Sequence, residues 1–345
     1  MYKSVESLRI IAAFLVFLAH FPIELNVPIL AGFVGGELFS GAIGVDIFFI
    51  ISGFVIYMSA SRSVELGLSA SGKFVYLRLF RVLPLYMFIT ILYIFMSGNS
   101  YDFNTIVSSF LLIPFQDVGG LYSDPIVSLG WTLRFEMFFY SLVAIGITFK
   151  SILFVPVMLI MLSILLGCIS GFYFGQSIII EFLFGYLIGF YFSSKELTFD
   201  NTIDKRIVCF LFTLSISIIL IVMTGSDSGY NENGVPRMLI NFSSESYSRW
   251  IFWGGPSAIL FILCILSEKI INWRIAELGK YTYSVYLWSI FYVAFSRIIH
   301  DKFGVDSTVI FLLACLGLAV TSYVSYIVVE RSTMRVAKKV LNCVK

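Results

Sequence analysis

Long apolar runs separated by short polar segments make up most of the chain. The runs that could cross a bilayer as helices are 8–25, 41–60, 83–97, 129–149, 152–172, 177–193, 207–224, 250–267, 281–299 and 307–329. Most are close to the roughly 20 residues that a membrane-spanning helix needs. A further apolar stretch at 103–115 is shorter and predicts a re-entrant or interfacial piece. The pattern predicts an all-α, polytopic bundle of about ten transmembrane helices.

Composition excludes several other classes of protein. Of the 345 residues, 59% are apolar and only 13% are charged, whereas soluble domains carry about 25% charged residues. A soluble globule, a disordered chain and a nucleic-acid binder are therefore excluded. Little sequence remains between the runs, so we expect a single integral-membrane domain over 1–345 with no appended soluble domain. The five scattered cysteines form no Cys-x-x-Cys pair and predict no metal site.

The distribution of basic residues predicts the orientation in the membrane. With the amino terminus in the cytoplasm, 17 of the 23 lysines and arginines fall in cytoplasmic segments. This bias satisfies the positive-inside rule and places both termini in the cytoplasm. The longest outer segment, 225–249, is rich in Gly, Ser and Asn. It is either a connector or a contact for a polar, sugar-like molecule.

Ionisable residues within membrane spans are costly and are functional candidates. The set comprises Arg9, His20, Asp46, Arg134, Glu136 and Glu181. Arg9 and His20 lie eleven residues apart, which in one helix is about 16 Å along the axis and nearly the same face. A single histidine in this position is either a hydrogen-bonded packing residue or a functional group.

Three further patterns carry candidate chemistry. In KFVYLRLFRVLP (73–84), Arg78 and Arg81 lie three residues apart and share a helix face. They are either an ordinary cationic anchor or a pair suited to phosphate, which arginine binds through two N–H groups. GVDIFFIISGF (44–54) contains Asp46 and Ser52, and WTLRFEMFFY (131–140) contains Arg134 and Glu136 on different sides of a helix.

Taken in order along the chain, these motifs resemble the acyltransferase-3 family of membrane-bound, mostly bacterial enzymes that modify carbohydrates. LGKYTYSVYLWSIFY (278–292) and VVERSTMR (328–335) are similar to late motifs of the same family. Two positions depart from the family pattern. Ser289 stands where many relatives have a histidine, and Ser332 stands near a usual proline, which leaves His20 as the sole histidine candidate.

The resemblance implies a bacterial inner-membrane acyltransferase. Acetyl-CoA, or another acyl-CoA, would be the cytoplasmic donor, and its phosphates would be held by Arg78 and Arg81, with Arg9 or Lys73 as further candidates. The acceptor would be a hydroxyl of a glycan or lipid-linked saccharide. No metal and no nucleic acid are implied, and the remaining partners are membrane lipids.

Acyl transfer to an alcohol needs a base and a donor to the developing oxyanion. His20 is the expected base, and Asp46 is expected to hold its ring. The oxyanion candidates are Ser52, Trp131 and Arg134. Glu136 is either a second acid or base or the ion partner of a buried arginine.

Transfer could be direct or could pass through an acyl-histidine. One alternative function is a transporter or flippase of a lipid-linked saccharide, which would not explain an arginine pair at the inner face. Another is a sensor or scaffold without catalytic activity.

Overall fold

The computed structural model describes a helical protein. The residues described are 2–22, 25, 27, 43–61, 67–116, 122–193, 207–208, 211–212, 214–216, 250–270, 272 and 274–343. The helices are α1 (Lys3–His20), α2 (Ile43–Ser61), α3 (Leu68–Ser97), α4 (Phe103–Leu111), α5 (Gly130–Thr148), α6 (Phe154–Ser170), α7 (Ile179–Ser193), α8 (Gly255–Leu266), α9 (Thr282–Phe303), α10 (Ser307–Ser325) and α11 (Arg331–Cys343). Short 3-10 segments lie at Tyr173–Gly175 and Arg274–Tyr281, and π-helical turns lie at Trp250–Gly254 and Tyr326–Glu330. The predicted all-α class is confirmed.

Three of the described helical segments are long and apolar enough to cross a membrane. They are Ile43–Ser61, Leu68–Ser97 and Ser307–Cys343, with shorter apolar helices at Phe154–Ser170, Ile179–Ser193 and Gly255–Leu266. Each predicted run overlaps a described helix except 207–224, of which only scattered helical residues are described. The outer segment 225–249 lies outside the described residues. The count of about ten spans and the cytoplasmic placement of both termini stay predictions.

The third predicted span begins much earlier than the sequence suggested. The predicted span is 83–97, with Arg78 and Arg81 at its cytoplasmic start. Helix α3 instead runs over 30 residues from Leu68 to Ser97, and Pro84 lies inside it. Proline removes one backbone hydrogen bond, but membrane helices tolerate this loss where neighbouring groups compensate. Arg78 and Arg81 therefore lie within α3 and not at its beginning.

The chain forms two compact units, each built from two segments. The first comprises Met1–Met58 and Gln176–Val320, and the second comprises Ser59–Gly175 and Thr321–Lys345. In the first unit, α1 packs against the 3-10 segment Arg274–Tyr281, α8 and α9. In the second unit, α5 packs between α3 and α6, and α3 also contacts α11.

The start of α1 is capped by a residue distant in sequence. Glu268 accepts hydrogen bonds from the backbone N–H groups of Lys3 and Ser4, at 2.8 Å for each of its carboxylate oxygens. A carboxylate at a helix amino terminus satisfies otherwise unpaired donors and opposes the positive end of the helix dipole. This contact fixes the first turn of the helix that ends at His20.

In the first unit, α2 and α7 approach closely through glycines. A Cβ added to Gly185 would lie 2.7 Å from the carbonyl carbon of Ile50, and one added to Gly189 would lie 2.9 Å from the Cβ of Tyr57. Gly185 and Gly189 are four residues apart on α7, the spacing at which small residues let membrane helices pack. The Gly-x-x-x-Gly spacing is visible in the sequence, but hydrophobic periodicity does not predict which helix packs against it.

We expect Gly185→Ala to destabilise the protein by about 1–3 kcal/mol, because the added methyl group forces α2 and α7 apart. The measurement is thermal unfolding of the detergent-purified protein. Gly72→Ala in α3 is the matched control, since a Cβ there meets no atom within 4 Å. Gly72→Ala should be neutral or slightly stabilising, because alanine favours helix over glycine. Equal melting curves for the two variants would refute the close contact.

Candidate active site

His20 is the last residue of α1, and its ring is oriented by the helix itself. Nδ1 lies 2.8 Å from the carbonyl oxygen of Val16, four residues earlier. A carbonyl oxygen can only accept, so Nδ1 carries the hydrogen and donates it. In neutral imidazole the other nitrogen, Nε2, then holds the free lone pair. With Nδ1 bonded to Val16, the ring nitrogen that could act as a general base is Nε2.

Arg9 lies on the same helix as His20, as predicted, and has an acidic neighbour that the prediction did not include. Its Nη1 lies 3.5 Å from Oε2 of Glu6, and both side chains are partly buried. Glu6 also faces Gly279, where an added Cβ would lie 2.7 Å from the Cβ of Glu6. The late motif around Gly279 therefore packs directly on the first turns of α1.

Asp46 is fully buried in the first turn of α2. This part of α2 lies against α1, because a Cβ on Gly44 would lie 2.8 Å from Cγ2 of Val16. The residue whose carbonyl orients His20 thus also contacts the start of α2. The sequence predicted that Asp46 holds the His20 ring. At Nδ1, however, the hydrogen-bond partner is the Val16 carbonyl. Ser52 lies half-buried two turns further along α2.

Arg78 is buried in the second unit and stacks against aromatic rings. Its guanidinium carbon lies 5.3 Å from the ring centre of Phe74 and 5.5 Å from that of Tyr140. Such cation–π contacts stabilise a buried cation. Arg81 is half-buried on the same helix face. The two arginines therefore differ, since Arg78 is packed into the protein and Arg81 is more accessible.

Glu136 accepts a hydrogen bond from the hydroxyl of Tyr140, one turn along α5. Because the Tyr140 ring also contacts Arg78, the three side chains form one cluster joining α3 and α5. Opposite charges at this position favour the interpretation of Glu136 as a partner of a buried arginine. Arg134 and Glu136 have separate partners, as their spacing predicted.

Arg134 connects α5 to the segment before it and to α4. Its Nη1 donates to the carbonyl oxygen of Ser123 at 2.6 Å, and its Nη2 donates to the hydroxyl of Ser108 at 2.8 Å. The guanidinium carbon lies 5.9 Å from the ring centre of Tyr173. Burial raises the pKa of Tyr173, and the charge of Arg134 opposes this in part. Trp131 lies half-buried at the start of the same helix.

A largely apolar cavity of about 420 Å³ lies in the second unit between α3, α4 and α5. Its volume is within the range of roughly 300–1,000 Å³ that is usual for small-molecule sites. Arg134, Tyr140 and Ser141 are the polar residues of its lining. Sequence periodicity did not predict it, because the cavity depends on how α4 folds against α3.

The structure brings the predicted residues together in two groups. Arg9, His20, Asp46 and Ser52 belong to the first unit, and Arg78, Arg81, Trp131, Arg134 and Glu136 belong to the second. The supporting residues Glu268, Ser108 and Ser123 were missed, since their contacts link distant segments. Across the described ranges, no group of three or more His, Cys, Asp or Glu is placed to hold a metal ion.

Comparison with known proteins adds two matches. A family model described as an acyltransferase domain matches residues 2–330. The exopolysaccharide production protein ExoZ of Rhizobium meliloti (strain 1021) is 22% identical over 322 residues, covering 86% of this chain and 90% of ExoZ. No solved structure matches the chain.

Proposed function

Since the chain belongs to the acyltransferase-3 family, whose model covers nearly its whole length, we propose that it transfers an acyl group from acyl-CoA to a carbohydrate hydroxyl. The acyl group we assign is acetyl, and the acceptor is a glycan or lipid-linked saccharide. The similarity to an exopolysaccharide production protein supports a surface polysaccharide as the acceptor. The observation that carries the proposal is the orientation of His20, with Nε2 free to take a proton.

In the proposed reaction, Nε2 of His20 removes the proton of the acceptor hydroxyl as its oxygen attacks the thioester carbonyl carbon. The carbon–sulfur bond then breaks, and the CoA thiolate leaves with the proton that the imidazolium returns. The Val16 carbonyl keeps Nδ1 protonated throughout and fixes the plane of the ring. Asp46 is proposed to stabilise the positive charge from the neighbouring helix.

The developing oxyanion needs an N–H or O–H donor. We propose Ser52 as this donor, because it lies on α2, the helix that contacts α1 beside Val16. The Nη1 and Nη2 atoms of Arg134 already donate to Ser123 and Ser108, so we assign Arg134 a positioning role. Glu136 is proposed to balance the charge of Arg78 through Tyr140.

We propose that Arg81 binds the phosphates of acyl-CoA, with Arg78 beside it. Arg81→Ala should raise the KM for acetyl-CoA by about 10- to 100-fold with little change in kcat, because one charged hydrogen bond is worth about 1.5–3 kcal/mol. Arg78→Ala is a poorer test, since Arg78 also packs on Phe74 and Tyr140.

Steady-state acetyl transfer by the purified protein in nanodiscs measures both constants. Lys150→Gln, at an exposed turn after α5, is the charge-matched control and should behave as wild type. An unchanged KM for Arg81→Ala would remove Arg81 from the donor site. Absence of any acetyl-CoA binding by the wild-type protein would instead favour the flippase alternative.

A further inference from the structure

Helix α11 carries a cationic surface that the proposed acyl transfer does not use. The segment RSTMRVAKKVLNC contains four basic residues and no acidic ones. At about 100° per residue, Arg331, Arg335, Lys338 and Lys339 fall within an arc of about 100° on one side of the helix. All four side chains are exposed. We refer to them as the α11 cationic face.

Exposed apolar residues lie beside the α11 cationic face. Val336 is 56% exposed and Val340 is 45% exposed, whereas Ala337 is fully buried. Around the helix the valines lie between the cations and Ala337. Helix α11 packs on α3, and its Ala337 side is covered by protein. The side with Val336 and Val340, between Ala337 and the α11 cationic face, is apolar and exposed.

The position of α11 in the chain places it at a membrane surface. It ends the helical run Ser307–Cys343, which is apolar enough to cross a bilayer. Helices with an apolar side next to a lysine- and arginine-rich side lie at the interface between headgroups and acyl chains. Basic residues next to a membrane span are attracted to anionic lipids. A soluble polyanion would satisfy the cations but leave Val336 and Val340 in water.

We propose that the α11 cationic face binds anionic phospholipid headgroups, with Val336 and Val340 inserted between the acyl chains. The cations then interact with lipid phosphates, and the buried side of α11 stays on α3. The site lies within the second unit and does not depend on the chemistry proposed for His20.

The test measures which lipids the full-length protein retains. Wild-type protein is purified from micelles that hold equal amounts of phosphatidylglycerol and phosphatidylcholine, and bound lipids are counted by native mass spectrometry. We expect enrichment of phosphatidylglycerol. The triple variant Arg335→Gln, Lys338→Gln, Lys339→Gln should weaken its binding on the order of 100-fold, at roughly fivefold per cation.

A variant with the same loss of charge elsewhere is the control. Lys150→Gln, Lys269→Gln, Lys302→Gln removes three exposed lysines and should retain the lipid as wild type does. If both triple variants lose the enrichment equally, or if neither does, the assignment to α11 is wrong.

Two further measurements do not depend on that variant folding. For wild-type protein, 1 M salt should abolish the enrichment, since charges are then screened beyond about 3 Å. Arg335→Lys should keep the enrichment because it keeps the charge. If the α11 triple variant instead raises the KM for acetyl-CoA and retains phosphatidylglycerol, the cations serve the acyl donor and the proposal is overturned.

Discussion

Replacing His20 with alanine should lower kcat for acetyl transfer by about 10²- to 10⁴-fold, the usual contribution of a general base. The KM for acetyl-CoA should change little, because the proposed donor contacts are made by arginines. The expectation rests on the hydrogen bond from Nδ1 to the Val16 carbonyl, which leaves Nε2 as the basic nitrogen. Stopped assays on equal amounts of folded, membrane-inserted protein give both constants.

His20→Asn separates orientation from basicity. Its amide places an N–H near the position of Nδ1 but offers no basic nitrogen, so its kcat should fall as far as that of His20→Ala. His300→Ala is the matched control, since His300 is the other histidine of the chain and lies in the last turn of α9. His300→Ala should transfer acetyl groups at the wild-type rate. Near-normal kcat in His20→Asn would show that His20 is a packing residue.

Removing Arg134 should have the largest effect on stability. Arg134→Ala deletes two hydrogen bonds from a buried charged donor, to Ser123 and Ser108, and the contact with Tyr173. We expect a loss of about 3 kcal/mol, because charged hydrogen bonds are strong and the Ser108 hydroxyl is left in a fully buried position. The segment before α5 and helix α4 should become sensitive to protease first. Thermal unfolding and limited proteolysis measure these effects.

Arg134→Lys tests whether geometry or charge matters. A lysine ammonium keeps the charge but does not reproduce the planar fork of arginine, so we expect roughly half of the loss. Ser141→Ala on the same helix is the control, since the Ser141 hydroxyl donates to the Met137 carbonyl at 3.0 Å from an exposed position, where water can replace the lost bond. If Arg134→Ala melted as wild type while losing kcat, Arg134 would belong to the oxyanion site and not to the scaffold.

Much of the fold is predictable from hydrophobic patterning. Apart from α3 and α11, apolar runs located the described helices to within about five residues, because the membrane imposes length and composition directly. The error at α3 has a physical cause: its first half carries Lys73, Arg78 and Arg81 and lacks the apolar signal of a span. Packing of Arg78 on Phe74 and Tyr140 keeps that half helical and partly buried. Hydrophobic periodicity along the sequence does not show that neighbouring aromatic rings stabilise a buried arginine in this way.

The candidate site was predictable by residue type but not by contact. Helical spacing sufficed to place Arg9 and His20 on one helix and to separate Arg134 from Glu136. It could not show that Val16 orients His20, that Glu268 caps α1 or that serines hold Arg134. The orientation of His20 depends on its side-chain rotamer. The contacts of Glu268 with α1 and of Ser108 with Arg134 join separate segments of the chain.

The contact between α2 and α7 affects how mutational scans of this protein should be interpreted. Gly185 has no proposed role in the reaction, yet almost any side chain there would collide with the backbone at Ile50. A saturation screen scored by activity alone would rank Gly185 beside His20 as an essential position. Scoring protein abundance in the same library separates them, because only the glycine variants should be depleted from the membrane.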